Sequence, residues 1–181
     1  VASCTATVVQ PASEFEKAGV EELAKQTISV LNIQPVPQTV FDRQLAFNLY
    51  PAPDGHEPFI TTQIRSLVDP RIELALFVTQ GTVFHSHTFS LFIRTKGAVE
   101  MARITDALRA SSAIAFAEGD QQFGTIDAAG RDEVLIAEVR PDASIEGGLW
   151  VWAVCDNLRR SSALNAVLAA EKVLFGTGTP N

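Results

Sequence analysis

Apolar and polar positions alternate from the start of the chain. In "ASCTATVVQ", residues 2–10, small or polar side chains trade places with β-branched ones, and period two predicts a strand. The period then lengthens. In "ASEFEKAGVEELAKQTISVL" the apolar positions Val20, Leu23, Ile28 and Leu31 fall at helical spacing, with Ser13 placed as a cap and Glu16 three residues on. Two prolines in "NIQPVPQTV" then require extended or loop backbone.

"RQLAFNLYP" reads as a short strand ending at Pro51, "APDGHEP" as turn chemistry, and "FITTQIRSLV" as a short helix stopped at Val68-Asp69-Pro70. "RIELALFVTQ" and "GTVFHSHTFSLFIRT" are strands rich in β-branched and aromatic residues. "GAVEMARITDALRAS" is helical, with Val99, Ile104 and Leu108 on one face, and "AIAFAE" is a short strand. "EVLIAEVRPD" and "GGLWVWAVCDN" are strands about the turn "DASIEGG"; the helix "SALNAVLAAEKVLF" and the tail "GTGTPN" follow. With no repeat, low-complexity tract or linker, residues 1–181 read as a single domain of the α+β class. Its expected sheet is mixed and largely antiparallel, with helices mainly on one face.

Composition excludes more than it assigns. A chain of 181 residues, 46% hydrophobic and 19% charged, is globular in kind, and a net charge of −7 argues against a nucleic-acid surface. No apolar run approaches a membrane span and no signal-type segment opens the chain. Two unpaired cysteines, Cys4 and Cys155, fit a reducing, cytoplasmic setting. The chain opens on Val1 inside strand-like sequence and its single methionine is Met101, so an upstream part is expected.

Candidate chemistry centres on "GTVFHSHTFSLFI", which holds two of the three histidines, His85 and His87. In a continuous strand both would share the face of Val83, Phe89, Leu91 and Ile93. A metal would need further ligands from His56, the cysteines or scattered carboxylates, which lie at no suggestive spacing, so no metal is expected. His85 reads as packing. Imidazole on a rigid strand is also how a proton-transfer group is built, which singles out His87. Neither cysteine has a cation, base or helix N-terminus near it in sequence, and both read as small core residues. No strand–GxGxxG–helix unit, GxSxG elbow, CxxC pair or phosphate loop occurs.

From Asp127 to Leu174, "DAAGRDEVLIAEVRPDASIEGGLWVWAVCDNLRRSSALNAVLAAEKVL" resembles the end of aspartate-semialdehyde dehydrogenase and its relatives. "QPASEFEKAGVEEL" is similar to that family's QAVSGAGKAGVEEL, "LAFNLYP" to its AFNVIP, and "TVFHSHTFSLFI" to its glycine–histidine–serine strand. The resemblance spans nearly the whole chain and implies the family's second, dimerising domain. The family is NADP-dependent, reductively dephosphorylates aspartyl phosphate in amino-acid biosynthesis through a cysteine thioester, and carries its nucleotide-binding domain upstream. It therefore implies a homodimer, with NADP held only together with the missing upstream domain and none in this chain alone.

Residue by residue, the resemblance makes Gln10 the active-site glutamine and His87 the general acid and base. Gln80 falls at the substrate-gripping arginine, seven residues before that histidine, and cannot supply a charged bidentate fork. The family's glutamate and lysine ahead of "RIEL" fall at Thr62 and Arg65, which makes Arg65 a substrate contact. Asn165, in "ALNAV", is the cofactor-side residue, and the glutamine that ends this motif is Leu168. The nucleophilic cysteine's motif is absent from the chain. Losses at Gln80 and Leu168 also resemble the family's diverged paralogues, the Usg proteins. Part of an oxidoreductase and the dimerisation module of a silent paralogue with an unknown ligand both stand at this point. In either case the isolated chain is expected to be inactive. Arg131 and Asp132 make an internal ion pair or line the interface, and Trp150 and Trp152 share a strand face as packing anchors.

Overall fold

The computed structural model describes residues 1–52, 57–118 and 120–175. Its centre is a seven-stranded mixed sheet, whose strands in chain order are β1 (Ser3–Gln10), β2 (Leu49–Pro51), β3 (Glu73–Gly81), β4 (His87–Arg94), β5 (Ile114–Phe116), β6 (Val134–Pro141) and β7 (Gly148–Cys155). They lie in the order β2-β3-β1-β4-β7-β6-β5. β1 runs parallel to β3, and β5 to β6; the other four pairings are antiparallel. The helices are α1 (Glu16–Leu31), α2 (Glu57–Leu67), α3 (Met101–Arg109), the short α4 (Thr125–Ala128) and α5 (Asn165–Phe175). This is the α+β architecture expected from the sequence.

Strand alternation gives the sheet two different faces. On one, Leu149, Val151 and Ala153 of β7 join Phe89, Leu91 and Ile93 of β4 beneath Met101, Ile104 and Leu108 of α3. On the other, Trp150 and Trp152 stand beside Phe92 and Ser90 of β4 and Arg140 and Glu138 of β6. Continuing across β1 and β3, that second face shows Thr5, Thr7 and Phe77, the last 51% exposed. Among the described residues it is covered at its end, where Phe123 and Ala128 pack on Leu135 and Val154. Trp150 and Trp152 thus share a face as expected, but Trp152 is 40% exposed, at the rim of a hollow it lines with Gln121, Gln122 and Phe123.

A second core lies outside the sheet. Leu23 of α1 packs with Ala12, Phe41, Leu45, Ala46 and Tyr50. The proline-bearing segment after α1 is pinned there by two buried side chains. Glu22 accepts the backbone N–H groups of Thr39, Val40 and Phe41, and the Gln26 carbonyl oxygen accepts those of Leu45 and Ala46. These contacts explain why "RQLAFNLYP" forms only a three-residue strand: backbone that alternation alone would extend is tied to α1 instead.

Three other expectations change. Ser13 does not cap α1. It sits in a 3-10 turn, Ala12–Phe15, and its hydroxyl donates to Asn157 Oδ1 at 3.0 Å. Gly19 lets this turn fold back on α1, since a Cβ there would lie 2.3 Å from the Ala12 oxygen. Second, α5 is preceded by a π-helical turn, Arg159–Leu164. Third, Asp132 pairs with Arg159 and Arg131 with Glu133, all at the surface, so the two neighbours form ion pairs but not with each other. His56 and the tail "GTGTPN" lie outside the described residues.

Candidate active site

The strand "GTVFHSHTFSLFIRT" is broken where the chemistry was expected. Ser86 adopts φ 76°, a left-handed conformation that costs a residue with a Cβ about 1 to 3 kcal/mol. β4 therefore starts at His87, and His85 belongs to the preceding irregular segment rather than to the face of Phe89 and Leu91. Asn157 over-determines this turn: its Oδ1 accepts both the Ser86 N–H and the Ser13 hydroxyl. His85 instead lines a surface hollow with Phe84, Thr125 and Ile126.

His87 points onto the α3-covered face, directly across from Cys155 on β7. On the other flank the β1–β4 ladder ends at Val9 and Thr88, so Gln10 lies one step on, beside His87; Gln10 in turn pairs with Gln80 of β3. Gln80, Gln10, His87 and Cys155 thus form one row across β3, β1, β4 and β7, on one face and at one end of the sheet. Three of the residues singled out from sequence are brought together in this row.

The imidazole is 15% exposed, and its Nε2 lies 3.2 Å from Oε1 of Glu14, whose side chain is 34% exposed. Asn157 Nδ2 donates to the same carboxylate oxygen at 3.0 Å. Burial alone would lower the His87 pKa; the side-chain hydrogen bonds to Cys155 and Glu14 and the negative charge of Glu14 outweigh it and push it up to about 9. Glu14 is held below the usual carboxylate range, first by its hydrogen bond to His87, against an opposing effect of burial. An imidazolium at neutral pH is a proton donor.

Gln80 is fully buried. Its amide nitrogen donates to the Gln10 backbone oxygen at 3.1 Å, and its Oε1 has no partner among the described residues. Arg65 is elsewhere. Its Nε donates to the Ile72 carbonyl, just before β3, whereas Gln80 is near the end of that strand, about 25 Å away at the rise of a strand. Thr62 is exposed on α2, bonded to the Pro58 carbonyl. The α2 side chain that does reach β3 near its site end is Glu57, which accepts the Val78 N–H at 3.3 Å. Asn165 begins α5 and is exposed, as is Leu168 one turn on.

Glu14, Asn157, Cys155 and Glu57 were not among the residues picked out from sequence for a site. Asn157 had a signal, since it belongs to the "DNLR" stretch that carries the family resemblance. Glu14 had none, because it lies more than seventy residues from His87. Among the described residues no three His, Cys, Asp or Glu side chains are grouped to hold a metal ion, and no helix is long and apolar enough to cross a membrane.

The sheet order, the covered face ending in an imidazole–carboxylate pair, and the open face behind it make an α+β domain whose class the comparisons identify as a dehydrogenase dimerisation domain. Residues 2–160 match the family model of the semialdehyde dehydrogenase dimerisation domain, and the chain belongs to that family. It is similar to a USG-1 protein homolog from Pseudomonas aeruginosa, 34% identical over 90% of this chain and 51% of that protein. It is similar also to aspartate-semialdehyde dehydrogenase 2 from Vibrio cholerae, 33% identical over 91% of this chain and 52% of that enzyme. The chain spans about half the length of the curated relatives it matches. Among solved structures, aspartate semialdehyde dehydrogenase II from Vibrio cholerae superposes with a TM-score of 0.92 at 29% identity, over 98% of this chain and 56% of that one. A probable aspartate-semialdehyde dehydrogenase from Pseudomonas aeruginosa gives 0.89 at 31%, over 96% and 55%.

Proposed function

We propose that the chain is the dimerising half of an aspartate-semialdehyde-dehydrogenase-like oxidoreductase, pairing with a second copy through the open face of its sheet and presenting His87 for proton transfer on the other. The observation that carries this reading is the His87–Glu14 pair. A carboxylate holds the imidazole charged, so at neutral pH the group donates a proton to an oxygen that gains charge during reaction, and Glu14 stabilises the imidazolium beforehand. Gln10, the neighbour of His87 in the row, is placed to orient the reacting group.

For NADP, this chain offers little. Asn165 is an exposed amide at the head of α5, and no glycine-rich turn stands beside it among the described residues. Dinucleotide and thiol attacker would come from the other half of the protein, to which the exposed apolar residues of α5, Val167, Leu168, Val173 and Leu174, offer a docking surface. Residues 1–181 are then one domain of a two-domain enzyme.

A second reading, a silent paralogue with its own ligand, is favoured by one observation. Gln80 is an uncharged amide committed to the Gln10 backbone, and Arg65 lies at the far end of β3, so the row holds no cation but His87 for an anionic substrate. Mixing the purified chain with NADP, aspartate semialdehyde and phosphate tests the division of labour: no reduced cofactor is expected, and turnover above a protein-free blank would show the chain sufficient by itself. Supplying the nucleotide-binding half in trans separates the readings. Activity lost in His87→Ala supports the enzyme, and inactivity of the native pair supports the silent paralogue.

A further inference from the structure

His87 and Glu14 come from different elements, and one side chain just beyond β7 is tied to both. Asn157 is 4% exposed. Its Oδ1 accepts the Ser86 N–H and the Ser13 hydroxyl, each at 3.0 Å, and its Nδ2 donates at 3.0 Å to the Glu14 oxygen that faces the imidazole. The orientation of this amide is forced twice. A backbone N–H can only donate, so oxygen must face Ser86; an ionised carboxylate can only accept, so nitrogen must face Glu14. The residue before it is braced in turn, since the Asp156 carboxylate accepts the backbone N–H groups of Gly130, Leu158 and Arg159. Glu14 is less constrained. It lies in a four-residue 3-10 turn with its side chain 34% exposed, and among the described residues its carboxylate meets His87 and Asn157 alone.

We propose that Asn157 is the positioning residue of the site: its amide nitrogen aims Glu14 at His87, while its oxygen holds the backbone from which His87 projects. A carboxylate on a short turn, partly in solvent, is otherwise free to rotate away from the imidazole. A buried amide fixed by its own partners removes that freedom. Because its oxygen is tied to the left-handed backbone at Ser86, the contact that keeps this turn also keeps imidazole and carboxylate in register. Asn157 thus serves the proton-transfer role proposed for His87. Its own role is read without turnover, so a silent site and a misassigned Asn157 give different results.

The test is the His87 titration, followed by NMR in the native chain, Asn157→Ala, Glu14→Ala and the double variant. The titratable groups facing the imidazole are Glu14 from the 3-10 turn and Cys155 from β7, with the uncharged Gln10 beside it on β1. Released from Asn157, Glu14 turns to solvent and the imidazolium loses its partner. The midpoint, about 9 in the native chain, should therefore fall by about one pH unit in N157A and by at least as much in E14A. The double variant should titrate with E14A, because the amide acts on the imidazole through the carboxylate. A fall of less than about half a unit in N157A overturns the proposal, and so does a further fall of that size or more when N157A is added to E14A. Should N157A fail to fold, E14A carries the test through the Asn157 side-chain amide. Its proton bonded to the carboxylate should resonate downfield in the native chain and move upfield in E14A. An Asn157 amide signal that is the same in both overturns the proposal equally.

Discussion

Strand β7 presents two chemistries from one run of eight residues. Toward α3 it turns Leu149, Val151, Ala153 and Cys155, all under 10% exposed; toward the other side it turns Trp150 and Trp152, with Trp152 left 40% exposed. The covered face is completed within the chain, by α3 over β4, β6 and β7, and it ends in the row of Gln80, Gln10, His87 and Cys155. The open face is not completed by the described residues. Phe77, Phe92, Trp150 and Trp152 lie on three strands, β3, β4 and β7, with polar residues between them; Phe92 meets Trp150 at 4.8 Å between centroids, and the Trp150 indole N–H donates to Asp142 at 2.7 Å. A domain that buries one side of its sheet and leaves aromatic surface on the other is built to meet another surface. On the proposed reading, chemistry and association are separated by period two, one face of the sheet for each.

That separation predicts opposite outcomes for adjacent residues. Val151→Asp places a carboxylate in the α3-covered core, where no partner exists for it; a loss of at least 4 kcal/mol is expected, seen as a missing thermal transition or a cooperative unfolding midpoint shifted far down. Trp152→Arg, one residue on, should leave the far-UV spectrum native and break association. Its dimer dissociation constant should rise at least 100-fold, about 2.7 kcal/mol, by sedimentation. If the two variants behave alike, the faces are not functionally distinct.

The pH dependence sharpens the covered side. The His87 pKa is raised from 6.5 to about 9, so its contribution to stability is fully present below about 6.5 and is lost as pH rises through 9. Melting curves of the native chain should fall across that window by on the order of 2 kcal/mol, roughly 4 to 8 °C, whereas His87→Gln should lack this component. A native profile identical to that of the variant would show that Glu14 does not hold the charge. The smallest effect belongs to Arg65→Ala. Its guanidinium is bonded to the Ile72 carbonyl, remote from the row, and the change should alter stability by about 0.5 kcal/mol or less and leave the His87 titration unmoved.

Much of this organisation was legible in the residue pattern. The alternation of residues 2–10 and 148–155 and the helical spacing of Val20, Leu23, Ile28 and Leu31 follow from burial on one side, which a local pattern records. What stayed hidden was set by distant partners. Nothing in "FHSHTF" announces that Ser86 turns left-handed, because the group that holds it, Asn157, is 71 residues away. Ser13 looks like a cap in its own segment, yet its hydroxyl is taken by that same asparagine. Similarity placed Gln10, Gln80 and His87 together at one end of the sheet, since strand register carries position faithfully. Arg65 instead lies beside Ile72, before β3, and the α2 carboxylate near the site end is Glu57. Cys155 is buried, as its apolar strand predicted, but its place across from His87 is invisible until the strands are paired.

Self-association through the open face is the claim on which the rest depends most. Sedimentation equilibrium on the chain at tens of micromolar tests it without assuming a ligand or an activity. The account predicts a species of twice 19.5 kDa that dissociates in Trp152→Arg. A native chain that remains at 19.5 kDa under those conditions would contradict it.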